Sequence, residues 1–125
     1  MRYTPLTAVW ELTMACNMRC LHCGSACAAA LPGELTTDEA LHLCDDLVDL
    51  GLLHLTLSGG EPLLKRDWDL IAGRLSAQGV KVPMISNGWL LNGAVIERAR
   101  SVGLEVIGVS LDGLQETHDH LRRPG

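Results

Sequence analysis

Three cysteines near the amino end have a spacing that suits one metal centre. Cys16, Cys20 and Cys23 are separated by three and then two residues, so their thiolates can surround one iron–sulfur cube from a single loop. Three thiolates on a four-iron cluster leave one iron without a protein ligand. An open coordination position serves substrate or cofactor chemistry, so the spacing predicts a reactive cluster rather than one that only stores electrons.

Two further cysteines leave an alternative open. Cys27 lies four residues after Cys23 and could complete a structural zinc site, which would make the chain a non-catalytic metal module. It could equally be a buried or partly buried free cysteine, whereas Cys44 falls on an apolar helical stripe and is expected in the core. Four of the five cysteines lie within twelve residues, unlike the spread-out framework of a secreted disulfide protein. The cluster therefore favours metal binding in a reducing compartment.

Three later segments carry residues that could contact a bound ligand. Gly59 and Gly60 would let backbone carbonyls approach an ammonium group without side-chain obstruction, and Glu61 could add charge. Two further segments offer short polar groups suited to ribose hydroxyls: Ser86, Asn87, Ser110 and Asp112. Each of these residues could instead belong to an ordinary turn or helix cap.

A strand–helix repeat is predicted to position these residues. Three segments run seven steps from a glycine to a serine, over residues 51–58, 79–86 and 103–110, at intervals near the roughly 30 residues of a βαβ unit. Each glycine fits the position just after a helix. Each apolar segment is typical of a parallel strand buried on both faces, although Pro83 cannot donate to a sheet ladder.

Helices are predicted between the strands. Thr36 and Glu39 form a capping-box sequence at the start of the first helix. The second helix is expected to begin at Asp67, the third at Asn92 and a fourth near Gln115. Apolar positions at helical spacing are expected to face the core: Ala40, Leu43, Cys44, Leu47, Val48, Trp68, Ile71, Ala72, Leu75, Val95, Ala99 and Val102.

With an earlier strand over residues 8–13, the order becomes βαβαβαβ followed by a helix. This order predicts an α/β fold, the N-terminal part of a parallel (β/α) partial TIM-type barrel with about four βα units. Four parallel strands do not close a barrel. Residues 1–125 are therefore expected to be the N-terminal part of a longer domain, and its open sheet is expected to leave an edge and one face uncovered.

The amino-acid composition argues against some classes of binding partner. The net charge is −5, which argues against a nucleic-acid or anionic-membrane surface. The sequence contains no run of about 18 apolar residues and no signal-peptide pattern, so a cytoplasmic location is expected.

The candidate residues all follow predicted strands, and parallel α/β folds bind ligands at the carboxyl ends of their strands. Taken together, they resemble the radical S-adenosylmethionine (radical SAM) superfamily. The Cys-x3-Cys-x2-Cys pattern after the first strand is that family's signature, and Gly59-Gly60-Glu61-Pro62 and Ser86-Asn87-Gly88 match its second- and third-strand motifs. The resemblance runs from about residue 10 to residue 123.

The resemblance implies a role for each residue. Cys16, Cys20 and Cys23 would hold a [4Fe–4S] cluster, and the segment from Gly59 to Glu61 would receive the methionine amino group of S-adenosylmethionine. Ser110 with Asp112 looks like the family's ribose-contacting element, with Ser86 and Asn87 beside it. His22 takes the place of an aromatic residue near the adenine.

The resemblance also implies an activity. Such an enzyme, an oxidoreductase or maturase, cleaves S-adenosylmethionine at the cluster and uses a 5′-deoxyadenosyl radical to abstract hydrogen. The segment from Trp10 to Thr13 and the pair His118-Asp119 look like the branch with a SPASM or twitch extension, so a peptide substrate is expected, with a haem-type small molecule as the alternative. A reductant such as a flavodoxin or ferredoxin is the implied protein partner.

Overall fold

Strands and helices alternate along the computed structural model, which describes residues 3–122. The elements in chain order are β1 (Thr7–Glu11), α1 (Thr37–Asp49), β2 (His54–Ser58), a short 3₁₀ helix (Pro62–Leu64), α2 (Trp68–Ala77), β3 (Pro83–Ser86), α3 (Gly93–Ser101), β4 (Val106–Val109) and α4 (Gln115–Arg122). The strands form one sheet in the order β1-β2-β3-β4, and each neighbouring pair is parallel. The predicted α/β order is confirmed, and the arrangement is that of a partial TIM-type barrel.

The register aligns the carboxyl ends of the strands. Glu11 at the end of β1 pairs with Ser58 at the end of β2, and Ser86 at the end of β3 pairs with Val109 at the end of β4. β1 ends two residues earlier than predicted, because Thr13 turns away to bond with Glu34 instead of continuing the strand. The loops that follow the strands therefore leave the sheet at one common edge.

The core lies between the sheet and α1, α2 and α3. Alternate strand residues such as Leu55, Leu57 and Met84 are almost fully buried against these helices. The side chains between them point to the other face, where Val9 is 68% exposed and Ile85 is 47% exposed. Helices α1 to α3 pack against one face only, so the predicted uncovered face of the open sheet is confirmed. The prediction that the strands are buried on both faces is wrong for the described chain.

The helices begin and end for the predicted reasons. Thr36 and Glu39 form both bonds of the capping box, and the Asn92 side chain accepts a 3.0 Å hydrogen bond from the amide of Val95 at the start of α3. The glycines after the first three helices have left-handed φ angles of 92°, 84° and 73°: Gly51, Gly79 and Gly103. No helix within residues 3–122 is both long and apolar enough to cross a membrane.

Candidate functional site

A cavity of about 280 Å³ lies at the carboxyl edge of the sheet. The residues around it come from the cysteine loop and from the loops that follow β2, β3 and β4. The predicted site residues that line it are Cys16, Cys20, His22, Cys23, Gly59, Gly60, Ser86, Asn87 and Ser110. The structure thus brings together all the predicted site residues except Glu61 and Asp112, which lie behind the cavity wall.

The cysteine loop is folded back on itself. The amide of Cys16 donates a 3.1 Å bond to the carbonyl of Ala28, and the amide of Ala28 donates a 3.0 Å bond to the carbonyl of Met14. These bonds clamp the two ends of the loop together. The thiols of Cys16 and Cys20 are partly buried, whereas Cys23 is exposed at the cavity.

The electrostatic surroundings of the thiols differ. The backbone amide of Cys27, which donates to Cys23 Sγ at 3.5 Å, is the largest influence holding the pKa of Cys23 below its usual range. Burial raises the pKa of Cys20. Burial also raises the pKa of Cys27 to about 11, with the neighbouring Cys23 contributing in the same direction. Of Cys20, Cys23 and Cys27, the exposed Cys23 is therefore the one whose thiolate, the form that binds metal, is favoured.

Glu34 anchors the cysteine loop from outside the predicted motifs. Its Oε1 atom accepts hydrogen bonds from the amide of Met14 at 2.8 Å, the amide of Leu31 at 3.0 Å and the hydroxyl of Thr13 at 3.1 Å. The first of these donors lies two residues before Cys16. Because one carboxylate bonds to residues before and after the cysteines, Glu34 holds the two ends of the cysteine loop together.

We expect the acid stability of the fold to depend on Glu34. Burial alone would raise the pKa of this carboxyl, but the bonds from Met14, Leu31 and Thr13 outweigh it and hold the pKa below the usual range. A pKa lowered by folding adds stability above the unfolded value of about 4.3, and this stability is lost as the pH falls through the folded value. Glu34→Gln should therefore flatten the fall in melting temperature between about pH 5 and pH 3.

Glu97→Gln on α3 is the matched control. Its side chain is 72% exposed and forms an ion pair with Arg100 on the same helix. Melting curves of the whole protein across this pH range measure the effect. A Glu34→Gln protein that loses stability on acidification as steeply as the wild type would contradict the assignment.

The glycine pair packs against the cysteine loop. The amide of Gly60 donates a 2.8 Å bond to the carbonyl of Thr13, and the next amide, that of Glu61, donates a 2.9 Å bond to the carbonyl of Ala15. A Cβ on Gly59 would lie 2.5 Å from the Thr13 carbonyl oxygen, and one on Gly60 would lie 2.7 Å from the Ala15 carbonyl carbon. The glycines are thus required by contact between two backbones, in addition to any room they leave for a ligand.

Glu61 has a different place from the one its motif suggested. Its side chain is fully buried and does not line the cavity. Its carboxylate accepts hydrogen bonds from the Ser86 hydroxyl and the backbone amide of Asn87, both at 2.8 Å, and from the backbone amide of Leu63 at 3.2 Å. Glu61 therefore ties the loop after β2 to the loop after β3, instead of presenting its charge to a ligand.

Asn87 continues this connection to the cysteine loop. Its side-chain nitrogen donates a 2.8 Å bond to the Asn17 side-chain oxygen. The Ser86 hydroxyl, which donates to Glu61, also accepts a 3.0 Å bond from the amide of Gly88. Both residues line the cavity while their polar groups hold its wall together.

From the sequence alone, Arg122 and Arg123 could either serve substrate binding or lie at a solvated helix start. The Arg122 guanidinium donates to both carboxylate oxygens of Asp112, through Nε and through Nη2 at 3.3 Å, and it lines the cavity. This bond is the main cause that lowers the pKa of Asp112 and raises that of Arg122. His22 Nε2 lies 3.6 Å from the same carboxylate. Arg123, the neighbour of Arg122, lies outside the described residues.

The end of α4 also meets the cysteine loop through the backbone. The amide of Leu21, between Cys20 and His22, donates a 2.8 Å bond to the carbonyl of Leu121. Arg122, the next residue along α4, lines the cavity together with Cys20 and Cys16. The loop is therefore held from two sides, by the glycine pair and by α4.

The donor set fits a [4Fe–4S] cluster better than a single ion. Cys16, Cys20 and Cys23 line one cavity together with Gly59 and Gly60. Among residues 3–122, no three His, Cys, Asp or Glu side chains converge in the way that one metal ion requires. Three thiols around one open cavity suit a four-iron cube, whose fourth iron stays open to a ligand.

Comparison with known proteins gives a consistent result. The family model described as the Radical SAM superfamily matches residues 10–125. The AdoMet-dependent heme synthase of Methanosarcina barkeri is 43% identical over 98% of this chain and 36% of its own length. Mycofactocin maturase MftC of Mycobacterium ulcerans is 34% identical over 97% of this chain and 33% of its own length.

A solved structure shares the fold. Streptococcus suis SuiB bound to S-adenosylmethionine superposes with a TM-score of 0.82 at 21% identity, covering 95% of this chain and 28% of SuiB. The chain thus spans about a third of the length of the curated relatives that it matches.

Proposed function

Because the chain belongs to the radical SAM superfamily, we propose that the protein cleaves S-adenosylmethionine reductively at a [4Fe–4S] cluster held by Cys16, Cys20 and Cys23. Members of this family are enzymes that use this cluster and this cofactor. The observation that carries the assignment is the cavity that the three cysteines line together with Gly59 and Gly60.

When bound, the cluster supplies the electron and S-adenosylmethionine supplies the 5′-deoxyadenosyl radical that abstracts hydrogen from a substrate. The residues of this chain would hold S-adenosylmethionine in position. The backbone at Gly59 and Gly60 offers carbonyls to the methionine ammonium group, and the Ser110 and Asn87 side chains offer hydrogen bonds to ribose hydroxyls. His22 borders the space proposed for the adenine.

Arg122 is proposed to receive the methionine carboxylate. Its guanidinium lines the cavity near Cys16 and Cys20, and a planar fork of donors matches a carboxylate. Asp112 forms an ion pair with this guanidinium. In this proposal Asp112 positions Arg122, and the ribose contact expected from the resemblance is secondary.

We expect Arg122→Gln to weaken S-adenosylmethionine binding by roughly 10- to 100-fold, since a hydrogen bond to a charged group contributes about 1.5–3 kcal/mol. Equilibrium titration of the cluster-loaded protein measures the affinity. Arg74→Gln on α2, an exposed residue that pairs with Asp45, is the control and should bind normally. Equal affinity in Arg122→Gln and the wild type would exclude the proposed contact.

The decisive experiment reconstitutes the whole protein with iron and sulfide without oxygen, adds dithionite and S-adenosylmethionine, and measures 5′-deoxyadenosine by mass spectrometry. Omission of dithionite gives the background, since the cleavage needs an electron. We expect 5′-deoxyadenosine in the complete reaction only. A protein with a spectroscopically intact cluster that binds S-adenosylmethionine yet forms none, with or without candidate substrates, would refute the proposal.

A peptide is the proposed substrate, as for a maturase, and the similarity to MftC supports it. A haem-type molecule is the second candidate, which the 43% identity to an AdoMet-dependent heme synthase favours. Iron-coproporphyrin III is a direct probe. Faster 5′-deoxyadenosine formation with a change in porphyrin mass would select the second candidate. If neither quantity changed, the result would favour a peptide substrate.

A low-potential electron donor such as a flavodoxin or ferredoxin is the proposed protein partner, because the cleavage consumes one electron. The cytoplasm is the proposed location, since unpaired thiols and an iron–sulfur cluster persist in a reducing compartment.

A further inference from the structure

Cys27 is placed against a proposed cluster ligand by an unusual turn. Ala26 has a φ angle of +48°, which a residue with a side chain seldom adopts, and its amide donates a 3.4 Å bond to the carbonyl of Cys23. The turn brings the amide of Cys27 to 3.5 Å from Cys23 Sγ. A left-handed conformation at alanine costs roughly 1 kcal/mol, so the surrounding contacts must hold it in place.

The side chain of Cys27 shares this position. It is only 6% exposed, and it lines the cavity together with Cys23. Cys16 and Glu11 also line this cavity. The Cys44 thiol, by contrast, is enclosed in the core on α1 and does not line the cavity.

We propose that Cys27 is a positioning residue whose S–H group donates a hydrogen bond to the Cys23 sulfur and raises the reduction potential of the cluster. The inference rests on the proposed function. Reduction adds negative charge that is shared with the ligand sulfurs, and a donor to such a sulfur stabilises the reduced form more than the oxidised form. The Cys27 amide makes a similar contact, so backbone and side chain act on the same sulfur from one residue.

The test compares variants that keep or lose the side-chain donor. Cys27→Ser retains a hydroxyl donor, whereas Cys27→Ala and Cys27→Val remove it, the second without opening a cavity. The whole protein is reconstituted anaerobically, and the midpoint potential is measured by a dithionite titration followed by electron paramagnetic resonance. We expect a more negative potential in Cys27→Ala and Cys27→Val and a near-wild-type potential in Cys27→Ser. Cys44→Ala is the matched control and should not shift.

Three results would overturn the inference. Unchanged potentials in Cys27→Ala and Cys27→Val would show that the side chain has no electronic effect. Equal shifts in the serine, alanine and valine variants would indicate altered packing instead of a lost donor. Failure of all three variants to assemble a cluster, while Cys44→Ala assembles one, would make Cys27 a ligand.

The wild type separates these results from failure of the proposed function. A wild-type protein without a [4Fe–4S] signal would remove both proposals. A wild type with the cluster but without 5′-deoxyadenosine would remove the proposed function alone, because the potential can still be compared among the variants.

Discussion

Alanine at Cys16, Cys20 or Cys23 is expected to abolish the proposed 5′-deoxyadenosine formation, with a loss of more than about 100-fold, since even residues that only support metal ligands cost 10- to 100-fold when removed. Each thiol lines the cavity, and the proposed cluster takes one ligand from each. The measurement is 5′-deoxyadenosine per cluster after anaerobic reconstitution, together with iron and sulfide content.

Cys44→Ala is the control for the loss of a buried thiol, because Cys44 is fully enclosed on α1 and is absent from the cavity lining. It should lose some stability and still assemble the cluster. If Cys20→Ala retained a full cluster and wild-type turnover, the three-cysteine ligand set would be wrong.

Gly60→Ala is expected to destabilise the protein by about 3 kcal/mol, the upper end of the usual cost of overpacking, and to prevent cluster assembly. The added methyl group would overlap the carbonyl of Ala15, which is backbone and cannot rotate away as a side chain can. Relief would require the cysteine loop to move off the β2 loop and to break the bond between Gly60 and Thr13. Denaturant unfolding and iron content measure the two effects.

Gly93→Ala is the matched glycine control. It begins α3, a Cβ there meets nothing within 4 Å, and alanine favours a helix over glycine by at most about 1 kcal/mol. This variant should therefore be as stable as the wild type or slightly more stable. A Gly60→Ala protein that unfolds like Gly93→Ala and binds the cluster would contradict the backbone contact.

The fold was largely predictable because its signals are local. Glycines after helices, the Thr36 capping box and the apolar spacing that buries Trp68 and Ile71 each depend on neighbouring residues, and all are confirmed. Burial on both strand faces was not predictable in this way. It depends on which layers pack against each face, and the described helices α1 to α3 cover only one.

The residues of the site were predictable where a motif marked them, but their contacts were not. Nothing near Glu34 in the sequence indicates that its carboxylate bonds to Thr13 and Met14, some twenty residues away. Glu61 followed two glycines and so suggested a ligand contact, yet it is enclosed beneath Ser86 and Asn87. Such tertiary bonds depend on how separate loops meet at the sheet edge.

The contact between Leu21 and Leu121 joins two segments that are synthesised at different times. The cysteines are synthesised early. The Leu121 carbonyl that bonds to their loop belongs to α4, which is synthesised about a hundred residues later. Until that helix has emerged, the thiols lie in a loop that lacks one of its supports. We therefore expect a cluster delivered after α4 has docked to meet a better-ordered loop than one delivered before.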